Sequence, residues 1–177
     1  KEAILAHKKD LLPVLKRIMS EPAAENRRLA AHYILQFGGA SELKGVMEAL
    51  KDDQVMNLDT IDMQPFMRDF CVDDILSLPE ASWAPLMSET ADRSENRLIR
   101  SLAIVCLKMT TKDAYAPLFK RLAKDSTEIP DIIGPEMTIG RLASNALTTV
   151  DRIKGLKAQV EGGTISKEDA ELRSALY

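Results

Sequence analysis

The feature that most constrains this chain is an internal similarity between two of its segments. Residues 25–53 read ENRRLAAHYILQFGGASELKGVMEALKDD, and residues 95–125 read ENRLIRSLAIVCLKMTTKDAYAPLFKRLAKD. Each pattern predicts a helix, a short break and a second helix. Aligning the shared Glu-Asn-Arg, with two extra residues in the second turn, brings Leu43 opposite Tyr115. The sequence therefore predicts a helical hairpin that occurs more than once.

In both segments the apolar residues recur at helical spacing, which predicts one buried stripe on each helix. Gly38 is expected to end the first helix, because glycine enters left-handed backbone without a steric cost. Ser94 and Thr111 are expected to cap the two helices of the second segment. The predicted buried stripes comprise Leu29, Ala30, Tyr33, Ile34 and Phe37, then Leu43, Val46, Met47 and Leu50, and finally Tyr115, Leu118, Phe119 and Leu122.

The rest of the chain is expected to continue this arrangement within a single helical domain, residues 1–177. A third, weaker copy has Pro135 at the start of its helix and a buried face, and Ser166 with Asp169 is expected to begin a last helix. The buried face comprises Ile139, Leu142, Ala143, Ala146, Leu147 and Val150. The predicted parts are repeat units at about 10–53, 82–126 and 135–161, an irregular hairpin at 54–81, and a C-terminal helix at 166–176.

Composition narrows the classes of protein to which the chain can belong. Hydrophobic residues make up 45%, charged residues 29% and aromatic residues 5% of 177 positions, and the formal net charge is −3. This balance gives no overall attraction to nucleic acid or to an anionic membrane. No apolar run is long enough to span a bilayer, so no membrane insertion is expected. We expect a cytoplasmic protein, with a periplasmic one after removal of a signal peptide as the alternative.

A single helical hairpin cannot hide its apolar face, and stacking successive hairpins makes the core continuous. The predicted fold is therefore all-α, a short right-handed α-solenoid of stacked antiparallel hairpins. Residues 26–53 resemble a HEAT-type repeat of the short bacterial variety, with a charged helix start, LAA, a glycine turn and then L..V...L.D. Residues 96–125 are similar, although Thr110 and Thr111 replace the glycines of the turn. The resemblance covers these two segments and implies an architecture of the HEAT or armadillo kind.

Residues that could carry chemistry are few. The two histidines, His7 and His32, lie at no metal-ligand spacing with Cys, Asp or Glu, and no nucleotide-binding or nucleophile motif occurs. Cys106 lies in the apolar run LAIVCL and is interpreted as a core residue, whereas the state of Cys71 stays open. The sequence predicts no catalytic, cofactor or metal site, and it leaves the oligomeric state undetermined. An acidic cluster lacks the loop spacing of an EF-hand; its members are Asp59, Asp62, Asp69, Asp73 and Asp74.

Basic and polar residues that lie off the predicted core stripes form the candidate site. If the units stack in parallel, these side chains line up as a basic ridge suited to bidentate contacts with carboxylates or phosphates. The alternative is that each arginine pairs with a neighbouring acid, such as Glu25, Asp92 or Glu95, and ties units together. The ridge residues are Arg27, Arg28, His32, Gln36, Arg97, Arg100, Lys108, Arg141, Asn145 and Arg152.

The sequence thus favours a non-enzymatic interaction or scaffold module that docks another protein, through an acidic peptide or face, on its second-helix surface. The resemblance also implies an enzymatic alternative, since HEAT-like proteins include DNA-base glycosylases and subunits of bilin lyases. A glycosylase needs a basic groove with several aromatic residues, and Trp83 is the only tryptophan here. A third alternative is a periplasmic or secretion-associated helical domain of a longer protein.

Overall fold

A computed structural model describes residues 7–21, 24–49, 72–129 and 137–174. Within these ranges the regular elements are helical, apart from a single antiparallel bridge that joins Glu128 and Thr138. The all-α class predicted from the sequence is confirmed. The helices are α1 (Lys8–Ile18), α2 (Ala24–Gly38), α3 (Leu43–Ala49), α4 (Val72–Ser77), α5 (Glu80–Arg93), α6 (Arg97–Met109), α7 (Ala116–Leu122), α8 (Ile139–Glu161) and α9 (Lys167–Ser174), with 3-10 turns at Gly39–Glu42 and Asp113–Tyr115.

Side-chain caps fix where three of these helices begin. The Asn96 side chain accepts hydrogen bonds from the backbone of α6, and Thr138 does the same for α8. Ser166 accepts from the backbone N–H of Asp169 at 3.0 Å, as the sequence predicts. The prediction that Ser94 caps α6 is wrong, because Ser94 Oγ instead accepts a hydrogen bond from Asn96 N. Asn96 Oδ1 accepts from Leu98 N and Ile99 N, both at 3.0 Å, so asparagine is the cap of α6.

Successive helices pack on one another, and α6 contacts α4, α5 and α8. Helix α1 packs on α2, α5 packs on α6, and α8 contacts both α6 and α7. The short helix α4 contacts α2 and α6, and α9 packs on the end of α8. Helix α6 is buried on nearly every side, since Leu102, Ala103 and Ile104 are all without exposed surface. Its apolar composition follows from neighbours on three sides.

The first two helix groups correspond at a constant shift of 72 positions. Proline lies inside the first helix of each group, at Pro13 in α1 and Pro85 in α5. This single shift aligns the prolines, the turns and the core positions without the predicted two-residue insertion. Buried pairs at this shift are Met19 and Ala91, Ala30 and Leu102, Ala31 and Ala103, Ile34 and Cys106, Leu35 and Leu107, Val46 and Leu118, and Met47 and Phe119.

The turns after α2 and α6 share an unusual backbone conformation. Gly39 has a φ of 67°, and Thr111, its counterpart at the 72-residue shift, has a φ of 54°. The left-handed residue is thus Gly39 and not the predicted Gly38, whose φ is −98°. Left-handed backbone carries a steric cost for a residue with a Cβ, and Thr111 nevertheless adopts it. The two groups therefore share the geometry of the turn and not the residue type.

Most predicted core residues in the described ranges are buried, but Leu29 is an exception. Its side chain is 57% exposed, whereas Arg27 is 7% exposed. The buried face of α2 is rotated relative to the prediction, because α1 and α4 contact the helix from other directions. Leu50, Cys71 and Pro135 lie outside the described residues, as does most of the irregular hairpin at 54–81.

Candidate interaction surface

The ten predicted ridge residues lie on helices α2, α6 and α8, and their environments differ. On α2, Arg27 is buried and Arg28 is half-buried, whereas Gln36 is exposed. His32 is half-buried, and its Nδ1 lies 2.8 Å from Asp74 Oδ2 of α4. Of the four predicted residues on α2, Gln36 is therefore the exposed one, and His32 helps to hold α4 against α2.

Helix α6 does not carry the exposed ridge that the sequence predicts. Arg97 is exposed at its first turn and Lys108 is half-buried near its end. Between them Ser101 and Ile104 are fully buried, and Arg100 is 9% exposed. The prediction that Arg100 belongs to an accessible ridge is wrong, because neighbouring elements cover the middle of α6.

Arg100 instead joins three elements inside the fold. Its Nε donates to Ala91 O of α5 at 3.1 Å, and its Nη2 donates to Asp125 Oδ2 beyond α7 at 2.6 Å. Burial alone raises the pKa of Asp125, but hydrogen bonds from Thr127 and Arg100 outweigh it and hold that pKa below its ordinary value. Both residues belong to the predicted unit 82–126, so this pair holds one unit together and does not join two units.

Other basic side chains are committed to similar contacts. Lys112 Nζ donates to Glu80 at 2.6 Å, and Tyr115 OH donates to the same carboxylate at 2.9 Å. The hydrogen bond from Lys112, followed by that from Tyr115, lowers the pKa of Glu80. Burial, with the contact to Glu80, raises the pKa of Tyr115 to about 12. These contacts fasten the start of α5 to the turn before α7.

Two further ion pairs connect the same region to its neighbours. Arg121 donates to Asp92 of α5 at 2.8 Å. Lys154 of α8 lies 2.9 Å from Asp113, and the hydrogen bond between them raises the pKa of Lys154. Both pairs are largely exposed, so each contributes little to the free energy of folding. They do remove these cations from the set that is available to a partner.

All three predicted residues on helix α8 are exposed. Arg141, Asn145 and Arg152 are exposed, and so is Thr148 between them. At 100° per residue these four positions fall on one face of the helix, opposite the buried Ala143, Ala146 and Val150. From Arg141 to Arg152 the face extends about 16 Å at about 1.5 Å per residue. We call Arg141, Asn145, Thr148 and Arg152 the α8 strip.

The cavities are open clefts between helices. One, of about 310 Å³, lies between α1 and α3, and another, of about 520 Å³, lies between α5 and α7. The two clefts occupy equivalent places at the 72-residue shift, and each is bridged by an ion pair, Lys16 with Glu42 and Arg121 with Asp92. Among the described residues, no three His, Cys, Asp or Glu side chains are grouped so as to hold a metal ion.

Sequence reasoning missed the acidic partners of the predicted residues. Asp74 and Asp125 were not identified as the groups that hold His32 and Arg100. The 72-residue shift is the signal that could have found one of them, since it aligns Arg28 with Arg100 and Asp53 with Asp125. A repeated Arg and Asp at fixed spacing indicates an internal pair; Asp53 lies outside the described residues.

The described part of the chain is all-helical apart from one bridge, and Arg141, Asn145 and Arg152 are exposed together on one face of its long helix α8. Comparisons with protein-family models, with curated proteins and with solved structures find no match to this chain. In the described part of the chain, no helix combines the length and the apolar character needed to cross a bilayer.

Proposed function

We propose that this protein is a non-enzymatic interaction module, a short stack of HEAT-like helical units that docks an acidic peptide or protein face on the α8 strip. The observation that carries the proposal is the exposure of Arg141, Asn145 and Arg152 on one face of a continuous 23-residue helix. Arginine presents a planar fork of donors that matches a carboxylate, and asparagine adds both a donor and an acceptor. The strip itself contains no carboxylate.

The burial of two predicted ridge residues supports this choice of surface. Arg27 and Arg100 are buried, so their guanidinium groups are not accessible to a partner. The strip therefore replaces the ridge over three helices as the proposed docking site.

The repeated geometry supports the architectural part of the proposal. Helices α1, α2 and α3 correspond to α5, α6 and α7 in order, in buried positions and in the left-handed turn residue. Stacked units of this kind place successive helices side by side and leave an outer surface for recognition. An interaction role follows from that arrangement more directly than catalysis does.

The position of the tryptophan weakens the glycosylase alternative. Trp83 is 2% exposed, and its indole N–H donates to Leu78 O at 3.2 Å. It belongs to the core of the fold, so it is not placed to grip a base. A duplex-binding measurement at low salt separates the two functions, because tight binding to DNA would favour the glycosylase.

The direct test reverses the charge of the strip. Immobilised wild type, the double variant Arg141→Glu with Arg152→Glu, and the control Lys44→Glu with Lys120→Glu are exposed to lysate of the native cell. Both pairs change the net charge equally, and all four side chains are exposed. We expect proteins held by wild type and by the control to be lost from the strip variant, and their binding to weaken with salt.

The purified partner then gives the quantitative result. Each arginine–carboxylate contact contributes about 1.5 kcal/mol or more, so each reversal should weaken binding by about tenfold. Equal retention by all three proteins, or equal loss from the control, would remove the α8 strip as the docking site. Circular dichroism and thermal melts establish that the variants are folded.

A further inference from the structure

Large apolar side chains are exposed on helices toward the two ends of the chain, on α1 and α2 and on α9. Val14 of α1 is 42% exposed and Leu29 of α2 is 57% exposed, and both line one cleft of about 440 Å³ between these helices. Ile18 and Tyr33 line the same cleft. At the other end, Leu172 of α9 is 66% exposed. An apolar cleft and an apolar projection are the two halves of a heterologous contact.

The internal correspondence indicates that the face bearing Leu29 is suited to being covered. At the 72-residue shift Leu29 matches Ser101, and Asn26 matches Leu98; both counterparts on α6 are buried. On α2 the corresponding position leaves Leu29 in solvent. The short helix α4, whose first turn carries Asp73 and Asp74, packs on α6. A short helix with an acidic first turn is therefore an element that this fold already packs against a longer helix.

Helix α9 has the same character as α4. It is short, and its first turn carries Glu168 and Asp169. Leu172 follows Glu168 by one helical turn, so both lie on the same side of α9. Arg173 comes next to Leu172 in the sequence and is exposed.

Charges beside the cleft match those beside Leu172. Arg17 and Glu21 line the cleft and are exposed. A helix that puts Leu172 between Val14 and Leu29 can set Glu168, which lies on the same side of α9 as Leu172, against Arg17.

We propose that this protein associates head to tail with a second copy of itself, the α9 helix of one molecule occupying the α1–α2 cleft of the next. The contact joins two different surfaces, so it leaves one cleft and one α9 helix unoccupied in a dimer. Association then continues to a closed ring or an open row. The inference is independent of the α8 strip, which lies on another helix.

Sedimentation velocity over a concentration series tests the proposal. We expect the mass of wild type to rise above the 19.6 kDa monomer with concentration, while Leu29→Glu and Leu172→Glu each remain monomeric. An equimolar mixture of the two variants retains one intact cleft and one intact α9 helix, so it should form a dimer and nothing larger. Met109→Glu is the matched control, because Met109 is 47% exposed on α6; it should associate as wild type does.

Charge reversal gives a second, independent measurement. Arg17→Glu and Glu168→Arg should each weaken association at least tenfold, and the chain carrying both changes should recover it. Circular dichroism checks that each variant is folded. A wild type that stays monomeric at millimolar concentration, a mixture that stays monomeric, or single variants that associate as wild type does would each overturn the proposal.

Discussion

Gly140, at the start of α8, lies close to backbone atoms that follow α7, and this packing gives the sharpest stability prediction. Gly140 N donates to Asp125 O at 2.8 Å. A Cβ on Gly140 would lie 2.6 Å from Asp125 O and 2.7 Å from Ala123 O, short of the 3.4 Å at which ordinary contact begins. Both neighbours are backbone atoms that follow the end of α7, so no rotamer change relieves the overlap. We therefore expect Gly140→Ala to force α8 away from α7.

The magnitude follows from three contributions to the free energy of unfolding. Overpacking of this kind costs about 1–3 kcal/mol, and a weakened Gly140–Asp125 hydrogen bond costs about 1 kcal/mol. Alanine recovers at most about 1 kcal/mol through its higher helix propensity. The net prediction is a destabilisation of about 1–3 kcal/mol. For a chain of this size, each kcal/mol lowers Tm by about 2–4 °C.

Gly155→Ala is a control within the same helix. Gly155 is exposed, and a Cβ placed on it meets no atom within 4 Å. This substitution should stabilise the protein by about 0.5–1 kcal/mol, since only the propensity contribution remains. Urea titrations with a common m-value measure both variants. If Gly140→Ala is as stable as wild type, the inference that α8 packs closely against the backbone that follows α7 is wrong.

Three further substitutions test other parts of the structure. Asn96→Ala removes the side-chain acceptor for two N–H groups at the start of α6 and should cost about 1 kcal/mol in urea unfolding; an unchanged midpoint would contradict the cap. Thr111→Gly removes a β-branched residue from left-handed backbone and should stabilise by up to about 1 kcal/mol, because the relieved strain exceeds the added chain entropy; a lower Tm would contradict that reasoning. The lowered pKa of Asp125 means that its contribution is complete above its unfolded pKa of about 3.9 and is lost as pH falls toward the folded value. Asp125→Asn should therefore reduce stability at neutral pH and flatten the acid limb of the stability curve, and an unchanged acid limb would argue against the pair with Arg100.

The predicted functional residues show how far helical periodicity reaches. Periodicity correctly placed Arg141, Asn145 and Arg152 opposite the core stripe of α8, because that helix has its neighbours on one side only. It failed for Arg100, whose side chain extends from α6 toward Asp125 and Ala91. A helix with neighbours on several sides has no single exposed face, and its own sequence does not reveal how many neighbours it has.

What the sequence alone determined is local or periodic. The all-α class, the buried stripes that include Val46, Met47, Leu118 and Phe119, and the Ser166 cap depend on neighbours along the chain, so the residue pattern suffices. The tertiary structure decided which face of α2 is covered, which left Leu29 exposed and Arg27 buried, and it paired His32 with Asp74. The physical reason is that periodicity fixes the angle of each side chain about its own helix axis, whereas burial depends on where the other helices lie.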